Sequence, residues 1–216
     1  MVLMLFAISA VSALLVAVVY NSTKDTINQT EQKKKDIAKL EVLPAFEGTP
    51  SFSNVTRTIG DFEINITTVS VDDMVIGYAV EAPSITANGY ADRISLMVGF
   101  IEDDMGNATI NGVKVLSQKE TPGLGANMTI PGNKLERSIL GKNPAELVFK
   151  VSKDDKSGSF DALTGSTISS RAYTNAVETA YAGYLWAKGQ LRVPQGVEQP
   201  TEEIGSEDQK GDLSNE

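Results

Sequence analysis

Cysteine and histidine are both absent from the 216-residue chain. Without cysteine the protein can form no disulfide, no thiol nucleophile and no thiolate ligand set for an iron–sulfur cluster. Without histidine it lacks the usual base for a Ser or Thr nucleophile and the usual zinc ligand, so a hydrolytic enzyme and a metal site are both disfavoured. Any redox chemistry must therefore come from an organic cofactor.

Positive charge is also scarce. The formal net charge is −9 and the isoelectric point is about 4.6. Such a chain has no evident basic surface to neutralise phosphates, which argues against nucleic-acid binding. Acidic residues are concentrated in residues 193–216, where apolar side chains are few. We predict that this segment is a disordered, solubilising tail.

The chain begins with an uninterrupted apolar run. Residues 1–20 carry no charged side chain, and about 20 helical residues span a hydrocarbon core of ~30 Å. A cleaved signal peptide is the alternative, but it would need a basic start and a small-residue cleavage site. We predict a retained transmembrane anchor, followed over residues 21–44 by a polar, helix-prone linker. That linker is either a solvated spacer or a short amphipathic helix on the lipid surface.

Residues 45–192 are expected to form the folded domain. Runs rich in β-branched and aromatic residues, some with period-two alternation, predict strands. The predicted strands cover residues 62–70, 75–81, 94–101, 108–117 and 146–151. Small residues at helical spacing predict a helix over residues 169–188 that lies close to the sheet. The expected fold class is α+β, a mostly antiparallel sheet with flanking helices, preceded by one transmembrane helix.

Residues 161–171 combine a glycine, several hydroxyl residues and the start of the predicted helix. Gly165 permits a tight turn, and the positive end of the helix would face an anion bound there. Arg171 and Lys156 could add charge-assisted contacts. The alternative is a structural one, in which Ser166, Thr167 or Ser169 simply caps the helix. These residue types alone favour the cap.

This region resembles the FMN-binding domain shared by the G subunit of Rnf-type ferredoxin:NAD oxidoreductases and the C subunit of sodium-pumping NADH:quinone reductases. The match covers residues 157–177 and contains the acceptor pattern Asp-x-x-(Ser/Thr)-Gly-(Ala/Ser)-(Ser/Thr). A second match covers residues 112–125 and contains Glu-Thr-Pro-Gly-Leu-Gly. With both motifs in order after one apolar span, the resemblance extends over residues 1–190.

The resemblance implies covalent FMN, joined through its phosphate to Thr167 after Thr164 and Gly165 in the acceptor motif. Ser166 stands where alanine is common, so it is a rival acceptor. Asp161 would belong to the motif recognised by a separate flavin transferase, which moves FMN from FAD.

The second motif is expected to be a loop against the flavin. There Leu124 would pack on the ring, Thr121 would hydrogen-bond to it, and Glu120 would complete the site. For any single residue of this loop, a purely structural turn is an equally good interpretation. Tyr173 and Trp186 are better interpreted as core or surface-anchor aromatics than as flavin stackers.

The resulting hypothesis is a membrane-anchored electron-transfer subunit of an Rnf-type complex, working with other membrane and redox subunits and not catalytic alone. Two alternatives remain, a C subunit of a quinone reductase and a non-redox anchored module for a phosphate-bearing ligand. The family places the flavin domain on the extracytoplasmic side of the bacterial inner membrane. Lys24 and residues 33–35 instead follow the span, which by the positive-inside rule keeps the body in the cytoplasm. We follow the family and hypothesise a start further upstream that includes basic residues.

Overall fold

The computed structural model describes residues 1–90 and 92–190, so the predicted tail at 193–216 lies outside the described residues. Three α-helices and five strands follow each other along these residues. They are α1 Val2–Glu41, β1 Ser51–Ile59, β2 Phe62–Val71, β3 Met74–Pro83, β4 Ser95–Glu102, β5 Ala108–Ser117, α2 Lys134–Ile139 and α3 Thr167–Ala187. Short 3-10 helices cover Gly125–Thr129 and Pro144–Glu146.

The five strands form one antiparallel sheet in the order β1-β2-β3-β4-β5. The hairpin between β2 and β3 turns at Asp72 and Asp73, whose φ angles are +50° and +63°. Positive φ at both central residues matches the twist of the flanking strands, which explains why this two-residue turn joins them. The predicted α+β class with a mostly antiparallel sheet is confirmed.

One face of the sheet carries α3. Its small residues, Ala172, Ala176 and Ala180, are fully buried, as the sequence pattern predicted. Gly183 continues the stripe, and a Cβ at this position would lie 2.8 Å from Ile64 Cγ2. The helix lies close against the sheet because the residues on its contacting face are alanine and glycine.

The opposite face carries the end of α1. Ala38, Val42 and Leu43 are buried there against a second apolar cluster that includes Val69, Ala79 and Met97. A side chain on Gly99 or Gly112 would collide with the backbone of Val42. The end of the predicted linker thus packs on the protein's own sheet, an arrangement that differs from both the solvated spacer and the lipid contact. The anchor and linker also form one continuous helix, α1, that ends at Glu41.

The structure adds one strand to those predicted and corrects another. Residues 51–59 form β1, which the sequence did not predict, because all its residues but Ile59 are exposed and show no apolar alternation. It is held at the sheet edge by backbone pairing with β2. Residues 146–151 were predicted as a strand but form only the end of a 3-10 helix and an isolated bridge between Val151 and Phe160. Leu147 and Phe149 of this segment pack in the core beneath α3 instead of extending the sheet, whereas Val148 is exposed.

Candidate functional site

The acceptor motif forms a tight turn directly before α3. The Ser166 N–H donates to the carbonyl of Leu163 at 3.2 Å, and Gly165 takes a φ of +73°. The hydroxyl of Ser170 accepts from the Leu163 N–H at 3.0 Å and donates to the Ser166 carbonyl at 2.8 Å. The turn is therefore fixed by the first turn of the helix, where only glycine adopts the required φ without strain.

The two candidate acceptor hydroxyls lie in different environments. Ser166 is 6% exposed, and its Oγ has no hydrogen-bond partner among the described residues. Thr167 is half-buried, and its Oγ1 accepts a hydrogen bond from Lys153 Nζ at 3.2 Å. The predicted helix cap is wrong, because no side chain caps the start of α3. The first backbone N–H groups of the helix therefore remain available to an anion.

Glu120 joins the second motif to the start of α3. The residue is 7% exposed, its Oε1 accepts from the Tyr90 N–H at 2.7 Å, and its Oε2 accepts from the hydroxyl of Ser169. Gly125 leaves room for this carboxylate, since a Cβ there would lie 2.5 Å from Oε2. Glu120 therefore points inward and holds three segments together.

Leu124 and Thr121 lie on the exposed side of the same loop. Leu124 is 45% exposed, and a Cβ on Gly165 would be 3.4 Å from its Cδ2. The carbonyl of Thr121 accepts from the N–H groups of Leu124 at 3.1 Å and Ala126 at 3.3 Å, and its side chain is exposed. The structure thus brings the two sequence motifs into contact at Gly165 and Leu124, and Thr164 is exposed beside them.

The charged contacts differ from those expected. Arg171 makes a two-pronged ion pair with Asp154, with distances of 2.7 and 2.8 Å. The Arg171 guanidinium lowers the pKa of the Asp154 carboxyl, and Asp154 raises the pKa of Arg171 in return. Lys153 provides the direct contact to Thr167 instead. Because 14 residues separate Lys153 from Thr167, no local sequence signal could have identified it.

A cavity of about 550 Å³ is linked to this hydroxyl through Lys153, which lines the cavity and contacts Thr167 Oγ1; Thr167 itself is not one of the lining residues. It is lined by Lys134, Arg137, Ser138, Ser152, Lys153, Asp161 and Ala162. Asp161 is anchored in its wall, where its carboxylate accepts from the Ser152 hydroxyl at 3.4 Å and its N–H donates to Ser138 Oγ at 3.3 Å. The volume falls in the range of about 300–1,000 Å³ that is typical of small-molecule and cofactor sites.

Tyr173 lies in the core, as predicted. It is 1% exposed, and burial, with a smaller contribution from the charge of Glu136, raises the pKa of its phenol. A ring so enclosed is unavailable for stacking on a ligand. Trp186 packs against the same core and is only partly buried.

Comparison with known proteins gives a consistent result over nearly the whole chain. Residues 89–182 match the family described as FMN-binding domain, and residues 1–40 match the family described as RnfG N-terminal region. Both sequence motifs and the complete site described above lie within or next to the first match.

Full-length relatives agree. The chain is 33% identical over 202 residues to the G subunit of an ion-translocating oxidoreductase complex of Aliivibrio fischeri, covering 89% of this chain and 91% of that protein. It is 31% identical over 193 residues to the G subunit of the Na(+)-translocating ferredoxin:NAD(+) oxidoreductase complex of Acetobacterium woodii, covering 84% and 89%. The G subunit of an ion-translocating oxidoreductase complex of Methanosarcina acetivorans is 33% identical over 178 residues, covering 80% and 87%.

The residues at the start of α3 fit the phosphate end of FMN. A buried hydroxyl without a partner at Ser166, unused helix N–H groups and the ammonium of Lys153 are donors suited to a phosphoryl group. Leu124 adds an exposed apolar side chain suited to a ring. The site thus combines polar donors for an anion with an apolar contact, as flavin binding requires.

Proposed function

The chain belongs to the family of G subunits of Rnf-type ion-translocating oxidoreductase complexes and has their FMN-binding domain, and from that premise we propose that FMN is joined covalently to Thr167. The observation that supports this assignment is the Thr167 hydroxyl itself. It is half-buried at the positive end of a 21-residue helix and contacts Lys153 Nζ. An oxygen in that position would hold a phosphoryl group against helix N–H donors.

A flavin transferase would attach FMN to the protein with FAD as the donor. The Thr167 oxygen forms a bond to the phosphorus of the FMN half, the phosphoanhydride bond of FAD breaks, and AMP leaves. The hydroxyl proton passes to a base of the transferase. The product is a phosphodiester with one negative charge, which Lys153 would neutralise from its position at Thr167 Oγ1. Asp161, exposed six residues before Thr167, would contribute to transferase recognition.

Thr167 is a better acceptor than Ser166 for a steric reason. A transferase must reach the hydroxyl, and Ser166 is only 6% exposed. The unpaired Ser166 hydroxyl would instead donate a hydrogen bond to the phosphoryl group that Thr167 carries. Thr167 would therefore carry the covalent bond, and Ser166 would orient the phosphoryl group.

Bound FMN would supply electron-transfer chemistry that no side chain of this protein provides. The protein would fix its position, with Glu120 holding the loop that carries Thr121 and Leu124 against α3. The chain would act as one redox carrier among the membrane and redox subunits of its complex. The names of the full-length relatives support an Rnf-type complex over a quinone reductase.

The acceptor assignment is tested by intact-protein mass spectrometry after co-expression with a flavin transferase. The wild-type chain and Ser166→Ala should gain one FMN, whereas Thr167→Ala should gain none. Thr167→Ser, which keeps a hydroxyl at the same place, should restore attachment. A wild-type chain that stays unmodified beside an active transferase would refute covalent attachment, and loss of FMN from Ser166→Ala alone would move the bond to Ser166.

We propose further that α1 anchors the protein in the bacterial inner membrane with the flavin domain outside. α1 is the one helix among the described residues that is long and apolar enough to cross a membrane. Because the chain contains no cysteine, Glu63→Cys on the exposed surface of β2 creates a single thiol. A membrane-impermeant maleimide should label it in spheroplasts; labelling only after lysis would place the domain in the cytoplasm, as the lysines after the span suggest.

A further inference from the structure

The cavity beside Thr167 has a charge that is unusual for this protein. The chain has a net charge of −9, yet Lys134, Arg137 and Lys153 line one cavity together with a single carboxylate, Asp161. Within residues 1–90 and 92–190, none of these three cations has an ion-pair partner. A cavity in which three cations face a single carboxylate has an excess of positive charge, and a concave wall concentrates the resulting potential.

Neighbouring cations show the contrast. Lys150 pairs with Asp155 at 3.1 Å, and Arg171 pairs with Asp154 at 2.7 Å. Both therefore direct their charge toward carboxylates of the same chain. The three cavity cations, by contrast, keep their positive charge available for a ligand.

The residues near Thr167 offer two kinds of contact, and a flavin ring has two chemically different ends. One end of the isoalloxazine ring is a dimethylbenzene, and the other is a pyrimidine rich in hydrogen-bond acceptors that gains negative charge when the ring is reduced. Leu124 offers an apolar contact at Gly165. Lys153 contacts Thr167 Oγ1 and also lines the cationic cavity.

We propose, on the basis of the attachment at Thr167, that the cavity binds the pyrimidine end of the flavin and that Lys134 and Arg137 stabilise its reduced, negatively charged form, while Lys153 stays with the phosphodiester at Thr167. Charge close to the ring changes the energies of its oxidised and reduced forms unequally. Lys134 and Arg137 therefore raise the midpoint potential of the flavin. They are positioning and tuning residues for the cofactor.

The test measures the midpoint potential of the covalently attached flavin in purified protein. Lys134→Gln and Arg137→Gln should each lower this potential, and the double variant should lower it further. Lys150→Gln is the matched control, since it removes the same charge from the chain outside this cavity and should leave the potential unchanged. Acrylamide, a neutral quencher, should also quench the flavin fluorescence more in Arg137→Gln than in the wild type, because the shorter side chain encloses the ring less.

The experiments test the covalent attachment of FMN and the tuning of its midpoint potential independently. Mass spectrometry of the wild-type chain reports attachment, independent of the potential. Loaded cavity variants with the midpoint potential and acrylamide quenching of the wild type overturn the tuning role. If Lys134→Gln and Arg137→Gln acquire no FMN while Lys150→Gln does, these cations serve attachment, and the proposal is likewise overturned.

Discussion

Ser166 and Thr167 are adjacent in the chain, but only the Thr167 hydroxyl has a hydrogen-bond partner among the described residues. The Ser166 hydroxyl is buried without a partner among the described residues, and a buried hydroxyl that makes no hydrogen bond costs free energy. In chains expressed without a transferase, Ser166→Ala should therefore leave the free energy of unfolding unchanged or raise it by about 1 kcal/mol. Urea denaturation of the two unloaded chains measures this difference.

The same substitution should have the opposite sign once FMN is present. If the Ser166 hydroxyl donates to the phosphoryl group, loaded Ser166→Ala loses a charge-assisted hydrogen bond of about 1.5–3 kcal/mol. An unloaded Ser166→Ala chain that is destabilised by more than ~1 kcal/mol would contradict this interpretation, because a lost hydrogen bond costs about that much.

We predict that Glu120 stabilises the fold, and that it affects flavin binding only indirectly, by holding the loop in place. Glu120→Ala leaves the Tyr90 N–H and the Ser169 hydroxyl without their acceptor. We expect the free energy of unfolding to fall by about 1–3 kcal/mol. Glu120→Gln keeps one carbonyl oxygen and should recover part of this loss. Glu63→Ala, at an exposed position of β2, is the control, and equal losses in both alanine variants would argue against a clamp.

The ion pair between Arg171 and Asp154 gives a titration that NMR can follow. Arg171 lowers the pKa of Asp154 by a hydrogen bond and by its charge. A carboxylate with a depressed pKa stabilises the fold above its unfolded pKa, and that contribution is lost as the pH falls through its folded value. Arg171→Gln should therefore return the Asp154 pKa toward its ordinary value of 3.8. An unchanged titration of the Asp154 side chain would show that the pair does not form in solution.

At the scale of elements, α3 depends on the absence of a side chain at Gly183. A methyl group there would lie 2.8 Å from Ile64 Cγ2 and 3.0 Å from Val80 Cγ1. Overpacking typically costs about 1–3 kcal/mol, whereas replacing a helical glycine by alanine returns about 1 kcal/mol. We expect Gly183→Ala to lower the free energy of unfolding by up to about 2 kcal/mol. Ala187→Gly, at the exposed last residue of α3, measures the backbone contribution alone, and a stabilised Gly183→Ala would show that the helix can shift.

Sequence periodicity predicted the buried elements β2 and α3 but not the edge strand β1. The alternation in β2 and the small-residue stripe in α3 are imposed by burial, so both could be predicted from the sequence. β1 has no buried face to create such a pattern, and its existence depends on backbone pairing with β2. In the segment 146–151, Leu147 and Val151 are buried without joining the sheet, because apolar content alone does not distinguish a strand from irregular chain that fills the core.

At the scale of the whole molecule, the site was predictable only where residues are close in sequence. The two motifs were identified, and the structure brings them together at Leu124 and Gly165. The cationic cavity was not, because Lys134 and Arg137 come from α2 and Lys153 comes from the returning segment between α2 and α3. Only tertiary folding brings charges from these separate segments to one cavity.

α1 links the body to the proposed membrane anchor through a specific joint. The side chain of Asn111 donates to the Val42 carbonyl at 2.8 Å. Lys35 pairs with Glu81 and Lys114 pairs with Glu41, each at 2.6 Å. Because the helix is continuous and its end is buried on the sheet, we expect the flavin domain to keep one orientation relative to α1.

Spin labels can test this joint directly, since the chain contains no native cysteine. Labels at Asn28→Cys on α1 and Glu63→Cys on β2 should give one narrow distance distribution. Gly112→Ala should broaden it, because the added methyl would lie 2.8 Å from Val42 Cα and must displace the end of α1. Thr58→Ala, on exposed β1, is the control. A broad distribution in the unsubstituted protein would mean that the body moves freely on its helix, and an unchanged one in Gly112→Ala would mean that the joint tolerates a side chain at this crossing.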